Sequence, residues 1–176
     1  MKVINVEIKA ICTDHKRIRK ILLEKNADFV GLDHQVDTYF RSGSGRLKLR
    51  EGCIENNLIW YQRPDQAGPK TSHCILYKTE KGSALKTILH DAMGVMVVVD
   101  KEREIYFIDN IKIHLDQVKG LGTFLEIEAQ SEEGDKSEEL LNRQCVQLMD
   151  ELGIRNEDLV NDSYSDLLMK LQDEDH

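Results

Sequence analysis

The chain has 176 residues, 40% of them hydrophobic and 32% charged, which is one domain's worth of sequence (residues 1–176) with enough apolar content for a core, and it excludes a disordered or fibrous protein. A net charge of −8 argues against a general nucleic-acid binder, and the chain holds no apolar run of the length that spans a membrane. Cys12, Cys53, Cys74 and Cys145 form no CxxC pair and the first nine residues carry charges where a leader has an apolar core, so the expectation is free thiols, no zinc and a cytoplasmic location.

Val3 to Cys12 alternates strictly, with Ile4, Val6, Ile8 and Ala10 facing one way and Asn5, Glu7 and Lys9 the other, which is the period-two signature of a strand. Thr13 or Asp14 can cap a helix with Ile18, Ile21 and Leu22 on its apolar face. Ala27 to Gln35 reads as a loop or short strand, and Val36 to Phe40 as a strand. The Ser42-Gly43-Ser44-Gly45 turn leads to strands at Arg46 to Glu51 and Leu58 to Arg63, joined by a turn near Gly52 to Asn57. Pro64 to Pro69 holds both prolines and breaks the sheet, which resumes at Cys74 to Thr79. A helix from Ser83 to Met93 ends at Gly94, and strands follow at Val95 to Val99, Lys101 to Ile108, Ile111 to Gln117 and Phe124 to Gln130. Helices at Lys136 to Leu152 and Tyr164 to Leu171 complete the chain. Many antiparallel strands and few helices give an α+β class, a closed or nearly closed barrel wrapped by helices.

The charges segregate by strand. Arg46, Lys48 and Arg50 oppose Leu47 and Leu49; Lys112, His114 and Asp116 oppose Ile111, Ile113 and Leu115; Glu126 and Glu128 oppose Leu125, Ile127 and Ala129. Glu7 with Lys9, and Lys101 with Arg103, follow the same rule. A solvent-facing sheet explains alternation by itself. It does not explain rows of one sign, which repel and need counter-charges from another strand or a ligand. Basic rows match the oxygens of a phosphate chain, and paired carboxylates suit Mg²⁺ or Mn²⁺, so the faces hold the parts for phosphoryl or nucleotidyl transfer.

The motifs, taken in order, resemble the CYTH superfamily of class IV adenylyl cyclases, thiamine triphosphatases and related triphosphate tunnel enzymes, with the class IV cyclase branch nearest. They are Val6-Glu7-Ile8-Lys9, Asp37-Thr38-Tyr39-Phe40, Arg46-Leu47-Lys48-Leu49-Arg50, Tyr61-Gln62-Arg63-Pro64, Gly68-Pro69-Lys70, Lys101-Glu102-Arg103, Ile113-His114-Leu115-Asp116, Gly120-Leu121-Gly122 and Phe124-Leu125-Glu126-Ile127-Glu128. The resemblance implies an eight-stranded antiparallel barrel with helices packed outside. It implies that Glu7, Glu126 and Glu128 hold Mg²⁺ or Mn²⁺, with Asp116 in the same metal group. It implies that Lys9, Arg46, Lys48, Arg50, Arg63, Lys101 and Arg103 grip phosphate, with Lys70 as an addition, and that Lys9, Arg63, Lys101 and Arg103 serve catalysis. Tyr39 is expected at the tunnel mouth or in a structural role, and His114 as a hydrogen-bonding residue. The family's opening Glu-x-Glu-x-Lys is broken here by Asn5, which offers a carbonyl oxygen without charge.

The leading expectation is conversion of ATP to cyclic AMP and pyrophosphate. Hydrolysis of an inorganic or organic triphosphate uses the same clamp, and a binding module without turnover stays open because of Asn5. The expected partner is a small-molecule triphosphate, with no nucleic acid and no membrane, and a homodimer is allowed. RNA 5′-end processing is disfavoured by the acidic surface.

Overall fold

Alternation of charged and apolar residues decides this architecture, because it lets each strand bury two unlike faces. The computed structural model describes residues 1–64 and 68–175. Eight strands, β1 (Lys2–Ile11), β2 (Asp28–Phe40), β3 (Arg46–Glu51), β4 (Asn56–Gln62), β5 (Lys70–Lys78), β6 (Val95–Ile108), β7 (Ile111–Val118) and β8 (Gly122–Glu132), form a closed antiparallel barrel. Its order is β1-β5-β4-β3-β2-β6-β7-β8, with β8 pairing back to β1, so no edge is left open. The helices are α1 (His15–Glu24), α2 (Leu85–Met93), α3 (Glu138–Glu151) and α4 (Tyr164–Glu174).

On β1, β7 and β8 the apolar faces point outward, under helices. Val6, Ile8, Ala10, Ile113, Leu115, Leu125, Ile127 and Ala129 of β1, β7 and β8 pack on Ile18 and Leu22 of α1 and on Leu141, Cys145 and Leu148 of α3. Each Val, Leu or Ile among these contributes roughly 1.5–3 kcal/mol on burial. Asp14 caps α1 by accepting from the Arg17 amide, and Ser137 caps α3 by accepting from Leu140. With those faces turned out, the charged faces turn in.

Several elements run longer than their patterns indicate. β2 begins at Asp28 and takes in residues 28–35 of the expected loop or short strand, because it pairs with β6 along its length, with register shifts at Phe29/Gly31 and Tyr39/Phe40. β6 is one strand: Asp100, which interrupts the apolar pattern, faces outward and meets His34. β5 begins at Lys70, ahead of its expected start, because it pairs with β1 from Glu7 onward. The proline-bounded break between Pro64 and Pro69 includes positions 65–67, outside the described residues. No helix among the described residues is long and apolar enough to cross a membrane.

Helix α4 closes one end of the barrel. Its first residue, Tyr164, is buried, meets Phe124 edge-on at 5.0 Å between ring centroids, and donates its hydroxyl to Asp116 Oδ2 at 2.7 Å. Ser163 and Asp166 form a capping box that starts the helix there.

Candidate active site

The barrel encloses a cavity of about 460 Å³. Register sets its chemistry. Across β1 and β8, Glu7 faces Glu128 and Lys9 faces Glu126; across β7 and β8, Lys112 faces Glu128 and His114 faces Glu126. Arg103 faces Asp116 across β6 and β7, and Asp37 faces Arg50 across β2 and β3. The cavity therefore has an acidic wall on β1 and β8 and a basic wall on β3 and β6.

Asp37 is the hub of the basic wall. It takes Arg50 on both oxygens at 2.9 and 2.8 Å, and Lys48 and Lys101 at 3.0 Å each. Burial opposes its charge, yet these three cations hold its carboxyl well below the usual range. Lys101 is pushed down to about 7 by burial, with Asp37 opposing and Arg103, Arg50 and Lys48 adding to the fall. Lys9 is also lowered by burial, against Glu126 at 3.5 Å, and its ammonium lies 4.0 Å from the Tyr164 ring centroid.

Arg103 binds Asp116 through Nε at 2.7 Å and Nη2 at 2.6 Å, and Nη2 also reaches Glu126 at 2.8 Å. Asp116 thus gives both oxygens to Arg103 and one also to Tyr164, behind the cavity wall. Arg63 donates through Nη1 to Glu7 at 2.8 Å, while its Nε and Nη2 are buried without a hydrogen-bond partner among the described residues. Arg46 sits at the α4 end, held by Ser163 at 2.7 Å and Asp166 at 3.0 Å, and does not line the main cavity. Lys70 is buried on β5 in a small adjoining pocket with Glu7, Lys9 and Arg63.

Of the site residues expected from sequence, Glu7, Lys9, Lys48, Arg50, Arg63, Lys101, Arg103, Glu126 and Glu128 line the cavity together, and Arg46, Lys70 and Asp116 stand beside it. Tyr39 also lines it. Asp37, Glu55, Lys112 and Tyr164 were given no site role by the sequence, yet all four line the cavity. Lys112 shares the parity of His114 and Asp116 and was findable on that ground. Glu55 lies in a turn, where no periodicity marks it.

The acidic wall suits a hard divalent cation. Glu128 is pushed up to about 7 by burial and by Glu7 and Glu126, so carboxylates have been brought together against their repulsion. Ligand atoms of His114, Glu126 and Glu128 lie within 4.8 Å of one another. His114 is buried and lowered to about 4, chiefly by burial, with Nδ1 at 3.2 Å from Glu126. Asn5 lines the same cavity, and its Oδ1 is buried without a partner, which leaves a carbonyl oxygen available to a cation.

Residues 3–164 match the family model described as the CYTH domain. The chain belongs to the CYTH family. A relative from Methanocaldococcus jannaschii, named "putative adenylate cyclase", is 27% identical over 175 residues, covering 93% of this CYTH chain and 98% of its own. A solved structure from Vibrio parahaemolyticus with the same description superposes at a TM-score of 0.77 with 19% identity, covering 94% of this chain and 97% of the other. A Hippeastrum protein, described as an adenylyl cyclase by assignment that reveals a dominant triphosphatase activity, superposes at 0.58 with 13% identity over 88% of this chain and 89% of its own. These two structures share the CYTH fold with this protein.

Proposed function

We propose that this protein is a metal-dependent enzyme acting on an organic triphosphate, with cyclisation of ATP to cyclic AMP and pyrophosphate as the first reading. The observation that carries it is Arg63. One guanidinium nitrogen is committed to Glu7, while Nε and Nη2, the edge that chelates an oxyanion in parallel, are buried and unpartnered among the described residues. Such an edge, beside Lys9 and Lys48, suits phosphate oxygens. The cavity also exceeds what a phosphate chain fills, and Ile59, Cys74 and Leu76 give it an apolar stretch suited to an organic group.

Glu7, Glu126 and Glu128, with the Asn5 carbonyl, are the residues that would hold Mg²⁺ or Mn²⁺. When bound, that ion supplies Lewis acidity toward phosphate oxygens. The chain's own residues do the rest. Arg63, Lys48, Arg50 and Lys9 bind and orient the phosphates, and Arg103, fixed by Asp116, presents its charge without reorganisation. Lys101, near neutrality in its titration and anchored by Asp37, is suited to take a proton at Nζ from the attacking hydroxyl. α4 keeps bulk water from one end.

Hydrolysis is the second reading, favoured by the activity described for the Hippeastrum fold neighbour. It needs the same clamp with water as the nucleophile. The test is incubation with Mg²⁺ or Mn²⁺ and ATP, thiamine triphosphate or tripolyphosphate, quantifying cyclic AMP, pyrophosphate and phosphate. Cyclic AMP supports cyclisation; phosphate alone supports hydrolysis. Tight binding without any product would replace both with a binding module.

A further inference from the structure

One carboxylate on the cavity wall has no part in that scheme. Glu55 lies on the turn between β3 and β4, its side chain 18% exposed, and it accepts from Arg50 Nη1 at 3.2 Å, from Gln35 Nε2 at 3.0 Å and from Lys112. Lys112 and Asp116 belong to the same strand, and Asp116 is the residue bonded to α4. Glu55 therefore works at the end of the tunnel away from α4.

The turn is built to hold it there. Fully buried Asp33 accepts backbone amides from Cys53 at 2.6 Å, Ile54 at 2.8 Å and Glu55 at 2.9 Å. Gln35 joins the two carboxylates, reaching Asp33 at 2.9 Å. At Gly52 a Cβ would stand 2.7 Å from both Asp33 oxygens and from the Glu55 carbonyl, so only glycine lets the turn close on Asp33. This is a fixed carboxylate between two tunnel cations, not a loose surface pair. Across β7 and β8, Lys112 also faces Glu128. The rest of the cavity wall at β4 and β5 carries Asn57 and the exposed Lys78 beside Ile59 and Leu76.

With α4 across the other end, a triphosphate seated on Arg63, Lys48 and Lys9 has one direction in which to be longer, toward that mouth. A further phosphate there meets the Glu55 carboxylate and finds Lys112 already paired with it. We propose that Glu55 is a specificity-determining residue, which rejects a fourth phosphate at the far mouth. This rests on the triphosphate reading above.

The test is calorimetric titration of the full chain with tripolyphosphate and with tetrapolyphosphate, for the wild type and for Glu55→Gln, with circular dichroism to verify folding. The wild type is expected to prefer tripolyphosphate by about tenfold, and Glu55→Gln to bring the two affinities to parity or reverse them. Equal affinities in the wild type, or an unchanged ratio in a folded Glu55→Gln, overturn the role of Glu55 and leave the triphosphate reading standing. Binding of neither compound by the wild type overturns both. Should Glu55→Gln not fold, Glu55→Asp, which draws the carboxylate back by one methylene, is expected to narrow the preference, and an unchanged ratio in that folded variant overturns the role of Glu55.

Discussion

Asp37 shows how much one buried side chain can carry. Lys48, Arg50 and Lys101 all bond it, so Asp37→Asn leaves cations buried with reduced compensation. The expected loss is about 3–5 kcal/mol of stability, measured by denaturant unfolding; a loss below about 1 kcal/mol would show that the basic wall has other means of balance. Glu128 makes a pH prediction. Its value is raised from 4.5 to about 7, so between those values the folded state holds a proton that the unfolded state has released, and stability from this group falls as pH rises through the window. A cation competes with that proton. Mn²⁺ affinity should therefore rise up to about pH 7 and then level, and a flat calorimetric profile over that range would separate Glu128 from the ion. Asn5→Glu, which adds a carboxylate beside an unpartnered position, is expected to tighten Mn²⁺ by about tenfold. Unchanged affinity would mean that Asn5 takes no part in holding it. At this scale the sequence was legible wherever parity applied: Glu126 and Glu128, or Lys48 and Arg50, had to share a face. It was illegible for Asp37, whose neighbours on its strand are uncharged, and for Glu55, whose position depends on Asp33 twenty-two residues earlier capturing the turn.

Among the elements, α4 does the most for its length. Its apolar residues announce a helix but not where it docks, because docking depends on Tyr164 reaching Asp116 and on Ser163 and Asp166 holding Arg46. Ser163→Ala removes the cap and one partner of Arg46. It is expected to cost about 1 kcal/mol and to speed amide exchange across Tyr164–Glu174. Exchange rates unchanged from wild type would mean that the helix is held by packing alone. Strand extents were legible only where alternation was clean. β1 and β3 have it; β2 before Val36 lacks it, and only its long pairing with β6 makes it a strand. Pairing partners cannot be read from one strand's own pattern.

At β1, β7 and β8 the molecule is a barrel turned inside out relative to an ordinary core, with apolar side chains beneath helices and ionised ones within. Closure makes this arrangement stable, since every strand has two neighbours and the interior charges can pair across register. The same closure brings Glu7 and Glu126 of the acidic wall within reach of Arg63 and Arg103, and the proposed chemistry follows from that nearness. Glu126→Gln should abolish metal-dependent turnover while the protein stays folded, because Arg103 keeps Asp116; near wild-type turnover would take Glu126 out of the site. The most direct measurement of all is anomalous diffraction from crystals grown with Mn²⁺ and tripolyphosphate. A manganese peak at Glu7, Glu126 and Glu128, with phosphate oxygens on Arg63 Nε and Nη2, is the predicted result; manganese and phosphate found only on the outer surface would contradict it.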